Sequence, residues 1–205
     1  QFASSAASDV YKRQVYMRNC PEYLIAFYGI WSMGAVILPI NSKLHTKEVG
    51  WILENAGCAY VLCEESSISE INFPGVTVFN PKWQQFDSNI HIPPVKRSST
   101  DLAWLFYTSG TTGRPKGVMI THGMIKTMAL SYFADVDQVH PSDTTLYAAP
   151  MSHGAGLYSI MHVLAGARHA IPLSGGFDEE EIFGLAETLQ NVHMFAAPTL
   201  SLIHI

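Results

Sequence analysis

Residues 102–121 read LAWLFYTSGTTGRPKGVMIT: an apolar run, a loop of Ser, Thr and Gly closed by Arg-Pro-Lys, and a second apolar run. Residues 102–107 are bulky and aromatic and read as a strand entering the loop, while residues 117–121 read as a strand leaving it. Gly110 and Gly113 let the backbone turn and bring N–H groups close to an anion. Thr108, Ser109, Thr111 and Thr112 supply hydroxyls that donate to phosphate oxygens or turn a lone pair towards Mg2+. Lys116 adds a mobile positive charge, held near the loop by the stiff Pro115. Together these point to a polyphosphate grip set between two strands.

Three other readings of the stretch fail. A Walker loop needs Gly-Lys-Ser/Thr and a following helix, whereas GVMIT after Lys116 has strand character. The dinucleotide fingerprint GxGxxG is absent. A plain hairpin turn would need no lysine after the proline.

Upstream, the pattern alternates. Residues 15–18 read as a strand, and Pro21 sits where a helix begins, with Asn19 as a candidate cap. A buried helix over 22–33 ends at Gly34, and 35–40 is a strand. Thr46 opens a helix with Val49, Ile52 and Leu53 at helical spacing, which closes at Gly57 before a strand over 59–63. Strand, helix, strand, helix, strand predicts an α/β fold with a mainly parallel sheet, flanking helices and right-handed crossovers. Residues 64–100, with Pro74, Pro81, Pro93 and Pro94, read as a surface connection with a short strand at 76–79. Downstream, a helix is expected over 122–133, strands at 145–148, 169–172 and 192–196, and a helix over 156–164. Asp178 caps a further helix reaching about residue 189, with Glu179, Glu180 and Glu181 in its first turn.

The 205 residues carry 48% hydrophobic and 14% charged side chains, well below the usual charged share of about 25%. The net charge of −5 and the scattered Lys and Arg exclude a nucleic-acid surface of the usual kind. Cys20, Cys58 and Cys63 form no CxxC pair, so reduced cysteines in a cytoplasmic protein are expected, without a disulfide framework or zinc. Residues 23–40 lack charge and approach the length of a membrane span. Gly34, Pro39 and the β-branched second half favour helix, stop and strand instead, so no transmembrane segment is expected.

The ends read differently from the rest. Residues 1–14, QFASSAASDVYKRQ, and 200–205, LSLIHI, resemble translated adaptor sequence, and 15–199 is read as the native part. A disordered tail and the start of a core helix are the respective alternatives.

The loop at 107–118 resembles the signature of the adenylate-forming (AMP-binding) superfamily: acyl-CoA synthetases, luciferases and peptide-synthetase adenylation domains. Residues 18–65 are similar to that family's N-terminal helix–strand block, and 149–158, APMSHGAGLY, resembles one wall of its acyl pocket. The resemblance implies an incomplete N-terminal AMP-binding domain of an acid–thiol ligase, which joins a carboxylate to ATP and passes the acyl group to coenzyme A. It implies that Thr108, Ser109, Gly110, Thr111, Thr112, Gly113 and Lys116 hold the β and γ phosphates with Mg2+, with Thr111 or Thr112 as a metal ligand. It places His153 at the acyl gate and Gly154, Gly156 and Leu157 in the pocket wall, with His122 structural. A histidine seated at a helix start is the competing reading of His153. The family's later motifs for adenine, ribose and the catalytic lysine are not among these residues. The chain alone is therefore expected to bind ATP weakly and not to turn over, pending the C-terminal part of its enzyme. An adenylation domain loading a carrier protein and a non-catalytic ATP-binding protein remain open as alternatives.

Overall fold

A computed structural model describes residues 11–80, 92–108 and 115–196. The chain divides into two compact units, residues 22–124 with the N-terminal residues up to 17, and residues 125–205 with 18–21.

The first unit is built on a six-stranded sheet in the order β4-β3-β1-β2-β5-β6. Its strands are β1 (Lys12–Tyr16), β2 (Val36–Pro39), β3 (Tyr60–Cys63), β4 (Thr77–Phe79), β5 (Leu102–Thr108) and β6 (Lys116–Thr121). Neighbours are parallel except β5 and β6, which run antiparallel. Helix α1 (Pro21–Ser32) links β1 to β2, and α2 (Thr46–Ala56) links β2 to β3. Alternation along β2 splits the core. Val36, Leu38 and Ile40 pack with Val49, Ile52 and Leu53 of α2. Ile37, on the opposite face, is in register with Trp104, whose ring meets Phe27 of α1 at 5.0 Å.

Helix α2 ends where expected, at Gly57 in the left-handed conformation (φ 61°), and its N–H returns to the carbonyls of Glu54 and Leu53. Its start differs. The cap is His45, whose side chain accepts from Lys47 N–H while Glu48 bonds back to the His45 N–H, a capping box one residue before Thr46. The uncharged stretch 23–40 resolves into a helix of 12 residues and a strand of 4. Among the described residues no helix is long and apolar enough to cross a membrane.

Strand β1 begins at Lys12, so Lys12, Arg13 and Gln14, set apart from the fold in the sequence reading, pair with β2 and β3. Their polarity hid the strand: Gln14 is fully buried, and its amide nitrogen and oxygen have no partner among the described residues. Residues 1–10 and 200–205, the remainder of the expected tails, lie outside the described residues.

The second unit holds a parallel sheet in the order β8-β7-β9: β7 (Thr144–Leu146), β8 (Arg168–Ala170) and β9 (Val192–His193). Helix α3 (His122–Asp135) leads into it, α4 (Gly154–Ala165) joins β7 to β8, and α5 (Glu179–Thr188) joins β8 to β9. Asp178 caps α5 as expected, accepting from Glu181 N–H at 2.9 Å. Leu146, Ala148 and Ile182 form a small core under α5.

Candidate functional site

The residues expected to hold phosphate begin and end on the β5–β6 strand pair. Thr108, the last residue of β5, pairs with Lys116, the first of β6, and both side chains are exposed. Ser109, Gly110, Thr111, Thr112 and Gly113 lie outside the described residues. One step below the loop, Tyr107 faces Gly117. A Cβ on Gly117 would lie 3.1 Å from the Tyr107 ring, so glycine there lets the ring lie across the neighbouring strand. The Tyr107 hydroxyl donates to Asn55 Oδ1 of α2 at 2.6 Å, and its ring meets Trp51 edge-on at 6.2 Å. Burial pushes the Tyr107 phenol up to about 12, so it stays a neutral donor. The strand end that presents Thr108 is thus anchored to the helix layer.

His122, just past β6, donates its backbone N–H to Asp101 O and lies 5.9 Å from the Trp31 ring. Burial lowers its pKa, which Asp101 partly opposes.

In the second unit, the segment after β7 is stitched by Asn19. Its amide donates to the carbonyls of Tyr147 (3.1 Å) and Ala149 (2.8 Å), while its oxygen accepts from Met151 N–H (2.8 Å). Asn19 was expected to cap α1; its side chain instead holds the stretch that delivers His153. His153 occupies the N-cap position of α4, but its side chain makes no capping bond. Its Nδ1 lies 2.9 Å from Ser152 Oγ, the residue is exposed, and partial desolvation lowers its pKa.

Gly154 and Gly156 sit in the first turn of α4, with Gly156 buried. The close approach at Gly154 comes from the protein itself: a Cβ there would be 2.4 Å from the Phe195 ring. Phe195 in turn borders a cavity of about 600 Å3 that Ala155 and Tyr158 of α4, Tyr132 of α3 and His193 of β9 also line.

One side of this cavity is polar in a way the sequence did not announce. The His193 ring lies between two carboxylates, Nδ1 at 3.7 Å from Asp137 and Nε2 at 3.3 Å from Asp143. Asp143 is held low first by the His140 N–H at 2.7 Å, and Asn191 also donates to it at 3.1 Å. His162 stands 5.1 Å from His193, ring to ring, and burial lowers its pKa. His169 stacks on Tyr147 and shares a 2.7 Å hydrogen bond with its hydroxyl; burial first, then His162, push it down to about 4. Despite these histidines and aspartates, no group of three or more potential ligands among the described residues could hold a metal ion. The i, i+4 spacing of Tyr158 and His162 on α4 was a readable signal for this wall; the partners from β9 and the loop at 137–143 were not.

Thr108 and Lys116 therefore come together at one strand pair of the first unit. His153, Gly154 and Gly156 come together at the start of α4 in the second.

A family model described as AMP-binding enzyme matches residues 13–202. The long-chain-fatty-acid–CoA ligase FadD13 of Mycobacterium tuberculosis is 34% identical over 159 residues, covering 71% of this chain and 31% of the relative. A crotonobetaine/carnitine–CoA ligase of Salmonella arizonae is 31% identical over 131 residues, covering 53% of this chain and 25% of the relative. The chain thus spans about a third or less of the curated relatives it matches. Among solved structures, the O-succinylbenzoate coenzyme A synthetase of Bacillus subtilis, in complex with AMP, superposes with a TM-score of 0.82. Identity there is 22%, with 97% of this chain and 52% of that one covered, so the likeness speaks for the fold. The N-terminal domain of FACL13 from Mycobacterium tuberculosis gives a TM-score of 0.81 at 26% identity, over 93% of this chain and 50% of that one.

Proposed function

The chain belongs to the AMP-binding enzyme family, and we propose that it is the phosphate-gripping part of an acyl-CoA synthetase. In that reaction a carboxylate oxygen attacks the α-phosphorus of ATP, the bond to the β-phosphate oxygen breaks, and pyrophosphate leaves. The thiol of coenzyme A then displaces AMP from the acyl-adenylate. The observation that carries this reading is the β5–β6 pair, whose exposed end residues Thr108 and Lys116 bracket SGTTGRP.

Charge development on the departing pyrophosphate is what such a site must offset. An exposed Lys116 ammonium at the mouth of an antiparallel pair suits that task. Backbone N–H groups at Gly110 and Gly113 and hydroxyls of Ser109 and Thr108 would hold the β and γ phosphates. Thr111 or Thr112 would share Mg2+ with phosphate oxygens, the all-oxygen, octahedral setting that ion prefers. His153, exposed at the start of α4 and carrying no capping role, is assigned to the acyl gate, with Gly154 and Gly156 in the wall beside it.

The groups for adenine, ribose and the thiol-transfer step are assigned to a C-terminal part of the same enzyme, and its place of action to the cytoplasm. Carboxylate-dependent ATP–pyrophosphate exchange tests the reading. The longer enzyme exchanges and the 205-residue chain does not; clear exchange by the chain overturns its assignment as an inactive part. A carrier-loading adenylation domain is the second reading, favoured by likeness to the nonribosomal peptide synthetase FmoA3 (TM-score 0.72, 28% identity, over 87% of this chain and 19% of that one). Acyl transfer to coenzyme A, and not to a carrier protein, separates the two.

A further inference from the structure

Tyr107 is buried, and the next residue of β5, Thr108, is exposed. Leu105 and Tyr107 share one face of the strand and belong to the core formed with Val49, Ile52 and Leu53 of α2. Across the ladder, a Cβ on Gly117 would stand 3.1 Å from the Tyr107 ring and 3.2 Å from Leu105, so the glycine leaves both side chains room over β6. Beyond this point the strand leaves the core, and Thr108 is placed by its ladder pairing with Lys116.

The far end of Tyr107 is fixed by α2. Its hydroxyl donates to Asn55 Oδ1 at 2.6 Å, and its ring meets Trp51 at 6.2 Å and 88°. Trp51 and Asn55 are one helical turn apart, so both reach the ring from the same side of the helix. That helix is a firm support: a capping box closes its start at His45, Gly57 closes its end, and Val49, Ile52, Leu53 and Ala56 are buried along it. Asn55 is exposed and stands outside this buried row. The packing of α2 on the sheet therefore rests on the row, while the Asn55 amide adds one directed bond, at the residue that precedes Thr108.

Without an acceptor at Asn55 the hydroxyl turns to water and draws the ring off the helix, because a buried hydroxyl left unpaired costs more than the move. The Tyr107 backbone follows its ring, and the paired ends Thr108 and Lys116 follow the backbone. A polyphosphate then finds fewer strand ends in the right place, and its apparent affinity falls by that fraction. We propose that Asn55 is a positioning residue for the phosphate grip, acting through the Tyr107 hydroxyl on Thr108 and Lys116 without touching the ligand. The inference rests on the reading of the β5–β6 pair as a phosphate grip.

Phosphorus NMR titration of the 205-residue chain with Mg·pyrophosphate tests it. Asn55→Ala is expected to weaken binding about threefold to tenfold, the worth of one hydrogen bond. Alanine favours helix over asparagine, so such a loss does not come from a weakened α2. Asn55→Asp keeps an acceptor oxygen and is expected to hold affinity within about twofold at about 0.15 M salt, where an exposed charge is screened. In a double-mutant cycle, Asn55→Ala is expected to change nothing further once Tyr107→Phe has removed the donor. A purely structural contact would shift the urea midpoint and leave the affinity of the folded chain unchanged. That result overturns the inference, as do additive losses in the cycle or an equal loss in Asn55→Asp. Lys116→Ala, titrated alongside, reports on the underlying reading. If Lys116→Ala weakens binding and Asn55→Ala does not, the inference falls and the grip stands. If the parent chain binds neither Mg·pyrophosphate nor Mg·ATP, the grip reading falls and takes the inference with it.

Discussion

Gln14 is fully buried in β1, the third of six strands, with both ends of its amide unpaired among the described residues. A buried amide without partners forfeits hydration and regains nothing, so the position favours an apolar side chain of similar length. Gln14→Leu is expected to stabilise the chain by about 1–3 kcal/mol, read as a higher urea midpoint at unchanged slope; an unchanged midpoint would contradict the assignment. Asn19 is the opposite case. Its three bonds to Tyr147, Ala149 and Met151 satisfy backbone groups that the helix and sheet ladders do not reach. Asn19→Ala should cost about 2–4 kcal/mol and speed amide exchange across 147–153, because those groups lose their partners together. Neither role was legible in the sequence. A glutamine in a strand and an asparagine before a proline look ordinary until distant backbone closes around them.

Among the elements, the β5–β6 pair was the most legible, since a hydroxyl- and glycine-rich loop between two apolar runs has few other uses. Its ends were readable to within a residue because the ladder from Leu102↔Thr121 to Thr108↔Lys116 uses almost every apolar position. Lys116→Ala is expected to weaken Mg·ATP or pyrophosphate binding about tenfold, with the parent affinity falling as salt rises, as for an exposed charge pairing with phosphate. Equal affinity in the variant, measured by phosphorus NMR titration, would remove Lys116 from the grip. Gly117→Val would push a Cβ against Tyr107 and break the Tyr107–Asn55 bond, so the Tyr107 signal should shift even without ligand. Helix ends followed the same logic. Gly57 and Asp178 were readable because cap chemistry is local. His45 was not, because a histidine cap is an unusual choice beside the neighbouring threonine.

At the scale of the whole chain, the histidines of the second unit tie its stability to pH. His162 and His169 are held below their ordinary value mainly by burial, His169 down to about 4. Their folded pKa values lie below the unfolded ones, so the neutral rings contribute stability that is fully present above about pH 6.5. That contribution is lost as pH falls towards 4. Amide protection factors over 144–170, taken relative to the intrinsic exchange rate at each pH, are expected to fall between those limits, and His169→Gln, which retains a partner for Tyr147, to flatten the response. Protection factors there that are flat in pH would sink the account. The family, the parallel sheet and the β5–β6 strand pair could all be read from short patterns, because period, caps and glycine spacing are properties of neighbouring residues. The start of β1, the bonds of Asn19, the Phe195 ring over Gly154 and the acidic corner at His193 could not. Each depends on residues brought together from distant parts of the chain, and that juxtaposition exists only once the sheet of its unit has closed.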